Sequence, residues 1–262
     1  MEEYISSLQN PKIKNIVKLQ KSGERKKQKL FIIEGAREID LALSSNFELH
    51  SYFLCPDYGG EFPQLTPDVS CYKVSKEVFS KIAYRENSDG CLALAKPKVF
   101  SLKDIKLSQA PFIVVVEAIE KPGNLGAMLR SADAANIDAF IICNPLTDIY
   151  NPNVIRSSVG CVFTNQVVTA TSEETLAWME KNNIKAFAAS LSASNYYHQV
   201  DFTKPSAIVM GTEADGLSDF WLKKSFQQIK IPMHGKIDSL NVSTSCAVLI
   251  FEAMRQRNFN FI

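Results

Sequence analysis

Short apolar runs alternate between the strand period and the helix period along the first hundred residues. Asn10-Pro11 is a favourable helix start, because Asn caps free N–H groups and proline fits the first turn. Ile13, Ile16 and Val17 then lie on one face of that helix. The following patterns predict a strand, turn and helix over 31–46, strands over 51–57, 71–75 and 90–96, and a helix over 76–84. Residues 1–100 are therefore predicted to form a small α/β domain.

A polar, proline-flanked stretch at 101–111 predicts a linker, and a different pattern follows it. Residues 112–119 are almost continuously apolar, which is typical of a strand covered on both faces in a parallel sheet. Beyond them, predicted helices over 125–136, 154–163, 173–183, 218–226 and 242–257 alternate with strands over 139–144, 166–170, 184–191, 206–211 and 229–233. This alternation predicts an α/β domain with a parallel sheet over residues 112–262.

Charge is distributed unevenly, although the chain is nearly neutral as a whole. Its 262 residues include 29 basic and 28 acidic side chains, and 46% of the residues are apolar, enough to bury a sizeable core. Within residues 12–29, eight basic side chains stand against Glu24 alone. Net charge therefore neither indicates nor excludes nucleic acid, whereas this local concentration of positive charge marks the start of the chain.

Several classes of protein are disfavoured by what the sequence lacks. The six cysteines are scattered, and no Cys/His group has zinc-binding spacing, so no metal is expected. Isolated thiols in apolar runs suit a reducing compartment. No run approaches the ~20 apolar residues that span a bilayer, and the acidic start lacks an apolar signal core. We therefore predict a cytoplasmic protein without metal or membrane. His50, His198 and His234 fall in predicted loops and are interpreted as surface residues.

Three predicted strand exits are rich in glycine and polar residues: 117–136, 209–220 and 231–257. Each one alone is best explained as a tight turn that leads into a capped helix. Together, at the carboxyl edge of one parallel sheet, they would form a ligand site. The glycine spacing is not G-x-G-x-x-G, and no phosphate-loop Lys-Ser pair is present, so a nicotinamide or nucleoside triphosphate ligand is disfavoured.

The three segments resemble the three signature motifs of the SpoU family of RNA 2′-O-ribose methyltransferases. The matching stretches are PGNLGAMLRSADAAN, IVMGTEADGLS and IPMHGKIDSLNVS, in the family's order. The stretch YNPNVIRSSVGCVF, residues 150–163, resembles the family's segment between the first two motifs. The likeness covers residues 112–257, and the first hundred residues more loosely resemble the small RNA-binding domain of many members.

The resemblance implies a fold, a cofactor and a set of site residues. It implies an α/β methyltransferase domain with a deep trefoil knot, S-adenosylmethionine bound in a pocket formed by the knot, and a homodimer. By motif position, the cofactor-binding residues are expected to be Gly211, Ile231 and Leu240. The polar active-site residues are expected to be Asn124, Arg130, Glu213, Ser239 and Asn241.

The reaction implied by the resemblance is methyl transfer to a ribose 2′-hydroxyl of RNA. The two-domain layout favours ribosomal RNA over transfer RNA by analogy. A non-catalytic RNA-binding or ribosome-assembly protein is the alternative, and the intact polar set argues against it. The basic N-terminal segment is expected to bind RNA phosphates, a solvated charged helix face being the alternative. The expected contacts are Lys12, Lys14, Lys18, Lys21, Arg25, Lys26 and Lys27. Deletion of residues 1–29 is expected to weaken RNA binding and to spare cofactor binding.

Two departures from the family pattern and one mechanistic difficulty stand out. Glu117-Ala118 replaces the Asp-Gly of many members, and Asn136 stands where the first motif often ends in glycine. Members of the family are thought to use the arginine equivalent to Arg130 as a base. A guanidinium has a pKa above about 12 and therefore stays protonated. We favour an electrostatic role, in which Arg130 holds a phosphate and stabilises developing negative charge.

Overall fold

Two β-sheets organise the chain, and contacts between residues separate one unit around each. The computed structural model describes residues 3–59, 69–85 and 88–259. The first unit comprises Met1–Val99 and Asp148–Thr164, and the second comprises Phe100–Thr147 and Asn165–Ile262. In chain order the elements are β1 Glu3–Ile5, α1 Pro11–Leu19, α2 Ser22–Gln28, β2 Phe31–Glu34, α3 Ala36–Ser44, β3 Leu49–Leu54, β4 Ser70–Val74, α4 Lys76–Ile82, β5 Cys91–Ala95, β6 Phe112–Glu117, α5 Pro122–Ala134, β7 Ala139–Cys143, α6 Pro152–Ser157, α7 Cys161–Thr164, β8 Val167–Ala170, α8 Ser172–Lys181, β9 Lys185–Ala189, β10 Asn195–Tyr196, β11 Ser206–Met210, α9 Asp219–Lys224, β12 Gln227–Lys230 and α10 Val242–Gln256.

These units differ in two places from the predicted division at 1–100, 101–111 and 112–262. Residues 101–111, predicted as a linker, belong to the second unit, and Leu102, Ile105 and Leu107 pack against its core. Residues 148–164 make their contacts within the first unit, whereas the prediction includes them in the C-terminal domain. The single helix predicted over 154–163 is instead two helices, α6 and α7. Val159 and Gly160 separate them with positive φ angles of 53° and 82°, which a continuous right-handed helix does not allow. The functional division of the chain stays a prediction.

The first unit is a mixed five-stranded sheet with helices packed against it. The strand order is β1-β4-β3-β5-β2, with parallel pairs from β1 to β3 and antiparallel pairs between β5 and its two neighbours. Helix α1 buries Ile13, Ile16 and Leu19 in the core of this unit. Deletion of residues 1–29 would therefore remove one wall of that core, so the RNA contacts of this segment are better tested by single charge substitutions.

Arg25 has a structural role that its place in a basic run conceals. Its side chain is only 4% exposed. Nε donates to Asp148 Oδ2 at 2.7 Å, and Nη1 donates to the carbonyl oxygens of Leu19 at 2.9 Å and Gln20 at 2.8 Å. These bonds join the end of α1 to the segment before α6. A guanidinium enclosed in this way is not available to RNA phosphates, which corrects the expectation for this residue.

The second unit is a parallel seven-stranded sheet of order β10-β12-β9-β11-β6-β7-β8. All residues of the two central strands, β6 and β11, are buried, as the continuous apolar run at 112–119 predicted. The α/β class with a parallel sheet is confirmed, and the knot stays a prediction. Because all the strands run in one direction, the loops after β6, β9, β11 and β12 leave from one edge of the sheet.

The two departures from the family pattern both adopt left-handed backbone. Asn136 has φ of 46° and Ala118 has φ of 53°. Asparagine tolerates this region, so the exchange at Asn136 is mild. In Ala118 the close approach of Cβ to the backbone raises the energy of the folded state. Ala118 nevertheless donates its N–H to the carbonyl of Cys143 at 3.0 Å, so the ladder holds it in this conformation. The alanine stores local strain directly beside the candidate site.

Replacement of Ala118 with glycine is expected to raise the free energy of unfolding by about 1 kcal/mol. Relief of the left-handed strain of about 1–2 kcal/mol exceeds the entropy that glycine loses on folding. Urea unfolding of the whole chain measures the change. The matched control is Ala177→Gly at an exposed position inside α8, where the same exchange should lower stability by about 1 kcal/mol. Equal losses in both variants would contradict the strain at Ala118.

Candidate functional site

A cavity of about 610 Å³ lies at the carboxyl edge of the second unit's sheet. It is bordered by the loops that follow β9, β11 and β12. Its apolar lining includes Leu191, Met210, Leu217, Leu222, Ile229, Ile231, Met233, Leu240, Val242 and Leu249. Its charged lining, among the described residues, is Glu213, Asp215, Asp238 and Lys230. A cavity of this size and composition fits a molecule that is partly apolar and carries positive charge better than one that carries phosphates.

The loop after β11 forms one wall of the cavity and is closed on itself. Thr212 N–H donates to the carbonyl of Gly216 at 2.9 Å, and Asp215 N–H donates to Thr212 Oγ1 at 2.9 Å. Gly216 turns the chain with φ of 70°. The closure brings the backbone of Gly216 so near Gly211 that a Cβ on Gly211 would lie 2.1 Å from it. Gly211 is therefore required by packing between two backbone segments.

Three residues from three separate motifs meet in one hydrogen-bonded cluster. Glu213 Oε1 accepts from Asn124 Nδ2 at 2.8 Å and from Asn241 Nδ2 at 2.6 Å. The Asn241 amide also lies 3.3 Å from Asn124 Oδ1. The first motif contributes the start of α5, the second contributes the closed loop, and the third contributes the start of α10. We refer to Asn124, Glu213 and Asn241 as the amide–carboxylate cluster.

Asn241 also caps α10. Its Oδ1 accepts from Ser243 N–H at 3.0 Å, while its Nδ2 donates to Glu213. Capping and participation in the site therefore use opposite ends of the same amide. The structure confirms the capped-turn interpretation for this residue, whereas its role in a ligand site stays a prediction.

Glu213 is ionised and bound on both oxygens. Its Oε2 pairs with Lys121 Nζ, a contact that no sequence pattern indicated. The Lys121 ammonium is the main reason that the pKa of Glu213 lies below its ordinary value, and the Asn124 hydrogen bond acts in the same direction. The carboxylate therefore remains an acceptor for both amides over the whole neutral range.

Removal of the ammonium is expected to raise the pKa of Glu213. In Lys121→Met the charged form loses its nearest cation, so the carboxylate takes up its proton at higher pH than in the wild type. The contribution of this pair to stability is present above the unfolded pKa and is lost as the pH falls through the folded pKa. An NMR titration of the Glu213 carboxyl carbon measures the midpoint. The control is Lys223→Met, which removes a cation paired with Asp219 and should leave the midpoint of Glu213 unchanged. An unchanged midpoint in Lys121→Met would show that the Lys121–Glu213 pair does not lower the pKa of Glu213.

A second, smaller cleft of about 100 Å³ borders the same cluster. It is lined by Ile119, Glu120, Lys121 and Asn124, and it shares Thr212, Glu213, Ala214, Asp215 and Val242 with the larger cavity. The closed loop and Glu213 therefore border two spaces at once. Such an arrangement can bring two reacting molecules together.

The remaining predicted site residues differ in where they lie. Ile231, Ser239 and Leu240 line the larger cavity with Gly211, and Ser239 Oγ donates to Asp238 Oδ1 at 3.2 Å. Arg130 is exposed on α5, and neither of these two described clefts includes it. Six predicted residues thus line the larger cavity, because Glu213 and Asn241 border it as well. Arg130, by contrast, is a cation on the surface of the helix that begins at the cluster.

Glu117 anchors the end of the closed loop and was noticed in the sequence only as a departure from the family pattern. Its buried carboxylate accepts from Ser218 N–H and Ser218 Oγ, both at 2.9 Å, and from Ser172 Oγ at 2.9 Å. Trp221 Nε1 donates to the same Ser172 hydroxyl at 3.0 Å. An acidic residue at the end of a buried strand was the available signal, because a buried carboxylate requires several donors.

The predicted RNA contacts of the first unit divide into three kinds. Lys12 pairs with Glu3 at 3.1 Å and lies 4.7 Å from the centre of the Tyr72 ring, so it is partly engaged. Arg25 is buried, as described above. The others are exposed: Lys14, Lys18, Lys21, Lys26 and Lys27. Four of these cations lie on α1 and α2 and Lys21 lies between the two helices, so together they retain the character expected of a phosphate-binding surface.

The residues that the structure describes contain no group of three or more His, Cys, Asp or Glu side chains placed to hold a metal ion. None of the helices in the described ranges is long and apolar enough to cross a bilayer.

The parallel sheet and the clefts at its carboxyl edge define an α/β ligand-binding domain. Residues 111–251 match the model of the SpoU rRNA Methylase family. The chain belongs to this family, which confirms the resemblance seen in the motifs. Residues 10–93 match the MRM3-like substrate binding domain.

Relatives and solved structures extend this likeness over most of the chain. The 23S rRNA (guanosine(2553)-2'-O)-methyltransferase RlmP of Bacillus subtilis is 28% identical over 249 residues, covering 95% of this chain and 98% of the relative. The 23S rRNA (guanosine-2'-O-)-methyltransferase RlmB of Vibrio cholerae is 32% identical over 198 residues, covering 73% and 80%. A crystal structure of an RNA 2'-O ribose methyltransferase has a TM-score of 0.84 and 38% identity, covering 97% and 99%. An AdoMet-bound rRNA methyltransferase from Sinorhizobium meliloti has a TM-score of 0.88 and 26% identity, covering 97% of each chain.

Proposed function

We propose that this protein transfers a methyl group from S-adenosylmethionine to a ribose 2′-hydroxyl of ribosomal RNA. The observation that carries the proposal is the amide–carboxylate cluster, which joins all three motifs between two clefts. Family membership and relatives named as 23S rRNA methyltransferases support the reaction and the class of RNA.

The larger cavity suits S-adenosylmethionine in its chemistry. The cofactor has an aromatic base, a positively charged sulfonium and an amino acid end, and when bound it supplies an already activated methyl group. Apolar side chains such as Ile231 and Leu240 can enclose the base, and Gly211 also belongs to the lining. The three carboxylates of the lining favour positive charge. The same carboxylates disfavour a pyrophosphate, which argues against the nicotinamide alternative.

The residues of the chain have distinct roles in the proposed reaction. The ribose enters the smaller cleft, where the Asn124 amide orients its hydroxyls, and the Asn241 amide borders the larger cavity beside it. Glu213 fixes both amides by accepting from them, so their orientation costs nothing at the moment of reaction. Arg130 holds the adjacent phosphate and stabilises negative charge as the 2′-oxygen releases its proton to solvent water.

Other properties follow from the family resemblance and belong to the same proposal. The chain forms a homodimer in the cytoplasm, and its C-terminal residues pass through a loop to make a deep trefoil knot. The exposed lysines of α1 and α2 contact RNA phosphates, and the division at 1–100, 101–111 and 112–262 separates the RNA-binding domain, the linker and the catalytic domain.

Cofactor binding and RNA choice can be tested together with the wild-type chain. Isothermal calorimetry should detect S-adenosylmethionine binding, and transfer of a labelled methyl group should occur on ribosomal RNA but not on transfer RNA. Resistance of one phosphodiester to alkaline cleavage then locates the modified ribose. Absence of binding at millimolar cofactor would favour a non-catalytic RNA-binding or assembly protein, and labelling of transfer RNA alone would replace the substrate class.

A further inference from the structure

An exposed aromatic ring lies against a guanidinium on the surface of the first unit. Tyr84, just after α4, has 47% of its surface exposed. The guanidinium of Arg156, on α6, lies 6.0 Å from the centre of the Tyr84 ring. A half-exposed tyrosine ring with a cation near one side presents a flat surface of the kind on which nucleic acid bases stack.

Two buried carboxylates hold the backbone that carries this ring. Glu34, 7% exposed, accepts from Tyr84 N–H at 2.6 Å and from Arg85 N–H at 3.3 Å. Glu38, 3% exposed, pairs with the Arg85 guanidinium. Burial raises the pKa of Glu34, which shows that enclosing this charge is costly.

The backbone that carries the ring is therefore held by more hydrogen bonds than an ordinary surface loop requires. A loop that served only to connect α4 with β5 would need neither buried carboxylate, since water can satisfy exposed backbone N–H groups. Arg156 comes from a segment far along the chain, so the ring and the cation are brought together by the fold of the unit. Ile32, Pro152 and Ile155 line a small cleft next to the pair.

We propose that Tyr84 and Arg156 form a stacking site for one unpaired base of the RNA substrate. The inference rests on the proposed function, which supplies the RNA. It adds a contact of a different kind from the lysines of α1 and α2, because a ring binds the face of a base and a lysine binds phosphate. Tyr84 and Arg156 thereby favour RNA whose target region is single-stranded or looped.

A salt series separates stacking from charge. In the full chain, Tyr84→Ala should weaken binding of a single-stranded ribosomal RNA fragment about 10-fold, with an unchanged slope of log affinity against log salt concentration. Tyr84→Phe keeps the ring and should bind like the wild type. Lys26→Ala is the charge control, and it should lower affinity and reduce the slope instead. Fluorescence anisotropy measures each affinity, and thermal unfolding checks that the exposed substitution leaves the fold intact.

A fluorescent base gives the direct readout. An RNA oligonucleotide that carries 2-aminopurine in its unpaired region should be quenched on binding to the wild type and to Tyr84→Phe, and not on binding to Tyr84→Ala. Wild-type affinity of Tyr84→Ala at every salt concentration, or a loss accompanied by a smaller slope, would overturn the stacking site alone. A wild-type chain that binds the cofactor but neither binds nor methylates RNA would overturn the proposed function, and the stacking site with it.

Discussion

Replacement of Gly211 with alanine is expected to reduce affinity for S-adenosylmethionine by at least about 100-fold. A Cβ at this position would lie 2.1 Å from the carbonyl carbon and oxygen of Gly216 and 2.4 Å from the amide nitrogen of Leu217. All three atoms are backbone, so no side chain can turn aside and the loop must move. Displacement by an ångström or so is enough to cost two orders of magnitude at a binding or reacting centre. Calorimetry with the cofactor measures the loss.

Two other glycines separate the effect of space from the effect of conformation. Gly123, in the first turn of α5, has nothing within 4 Å of an added Cβ, so Gly123→Ala should leave cofactor affinity nearly unchanged. Gly216→Ala has equally open space but a φ of 70°, and its loss should fall between the other two because only backbone strain of about 1–2 kcal/mol opposes it. A Gly211→Ala chain that binds the cofactor as well as Gly123→Ala would show that the loop does not form the pocket wall.

The order of the elements explains why the polar cluster was accessible to sequence reasoning. Asn124, Glu213 and Asn241 lie as far as 117 positions apart, yet each follows a predicted strand of one parallel sheet. The carboxyl ends of such strands share one edge, so the three positions converge once the alternation of strands and helices is recognised. The family resemblance then identified which polar side chains in those loops to compare.

The burial of charged side chains could not be predicted from the pattern of residues along the sequence. Arg25 lies in a run of lysines and has the same charge, but its planar fork satisfies Asp148 and two carbonyl groups at once. A lysine could not make those bonds in that geometry. The charge of a residue can be read from its type, but its burial depends on segments that are distant in sequence. Arg25 is buried against Asp148, so its structural role could not be predicted without the position of residues 148–164.

Lys121 and Glu117 were missed for a related reason. Lys121 precedes the helical proline and looks like an ordinary surface residue, yet it pairs with Glu213 almost a hundred positions later. Glu117 ends a buried strand, and its partners Ser172 and Ser218 lie at the starts of two different helices, α8 and α9. Both contacts depend on the three-dimensional closure of the site. Lys121 pairs with the predicted residue Glu213, and Glu117 holds the end of the loop that carries Glu213. Neither of these two residues belongs to a sequence motif of its own.

Removal of the Arg130 side chain is expected to lower kcat by about 100- to 1,000-fold and to leave cofactor affinity unchanged. Loss of one donor that stabilises charge in a transition state has an effect of this size. Arg130 lines neither of the two described clefts, so Arg130→Ala should not disturb the larger cavity. Single-turnover methyl transfer on ribosomal RNA, with calorimetry of the same variant, separates the two quantities. Near-normal turnover would exclude both the electrostatic role and the role as a base.

Arg130→Lys distinguishes the two roles through the sign of its pH dependence. A lysine has a pKa near 10.4, so it loses its charge in a range where arginine remains protonated. If the residue acts electrostatically, the activity of Arg130→Lys should fall, relative to the wild type, as the pH rises from about 9 to about 11, because most of the lysine cations are lost over that interval. If it acts as a base, the activity should rise over the same interval, because the neutral amine becomes available to accept the proton of the 2′-hydroxyl. We expect the fall, since a guanidinium in the wild type has no accessible neutral form at the pH of the cell.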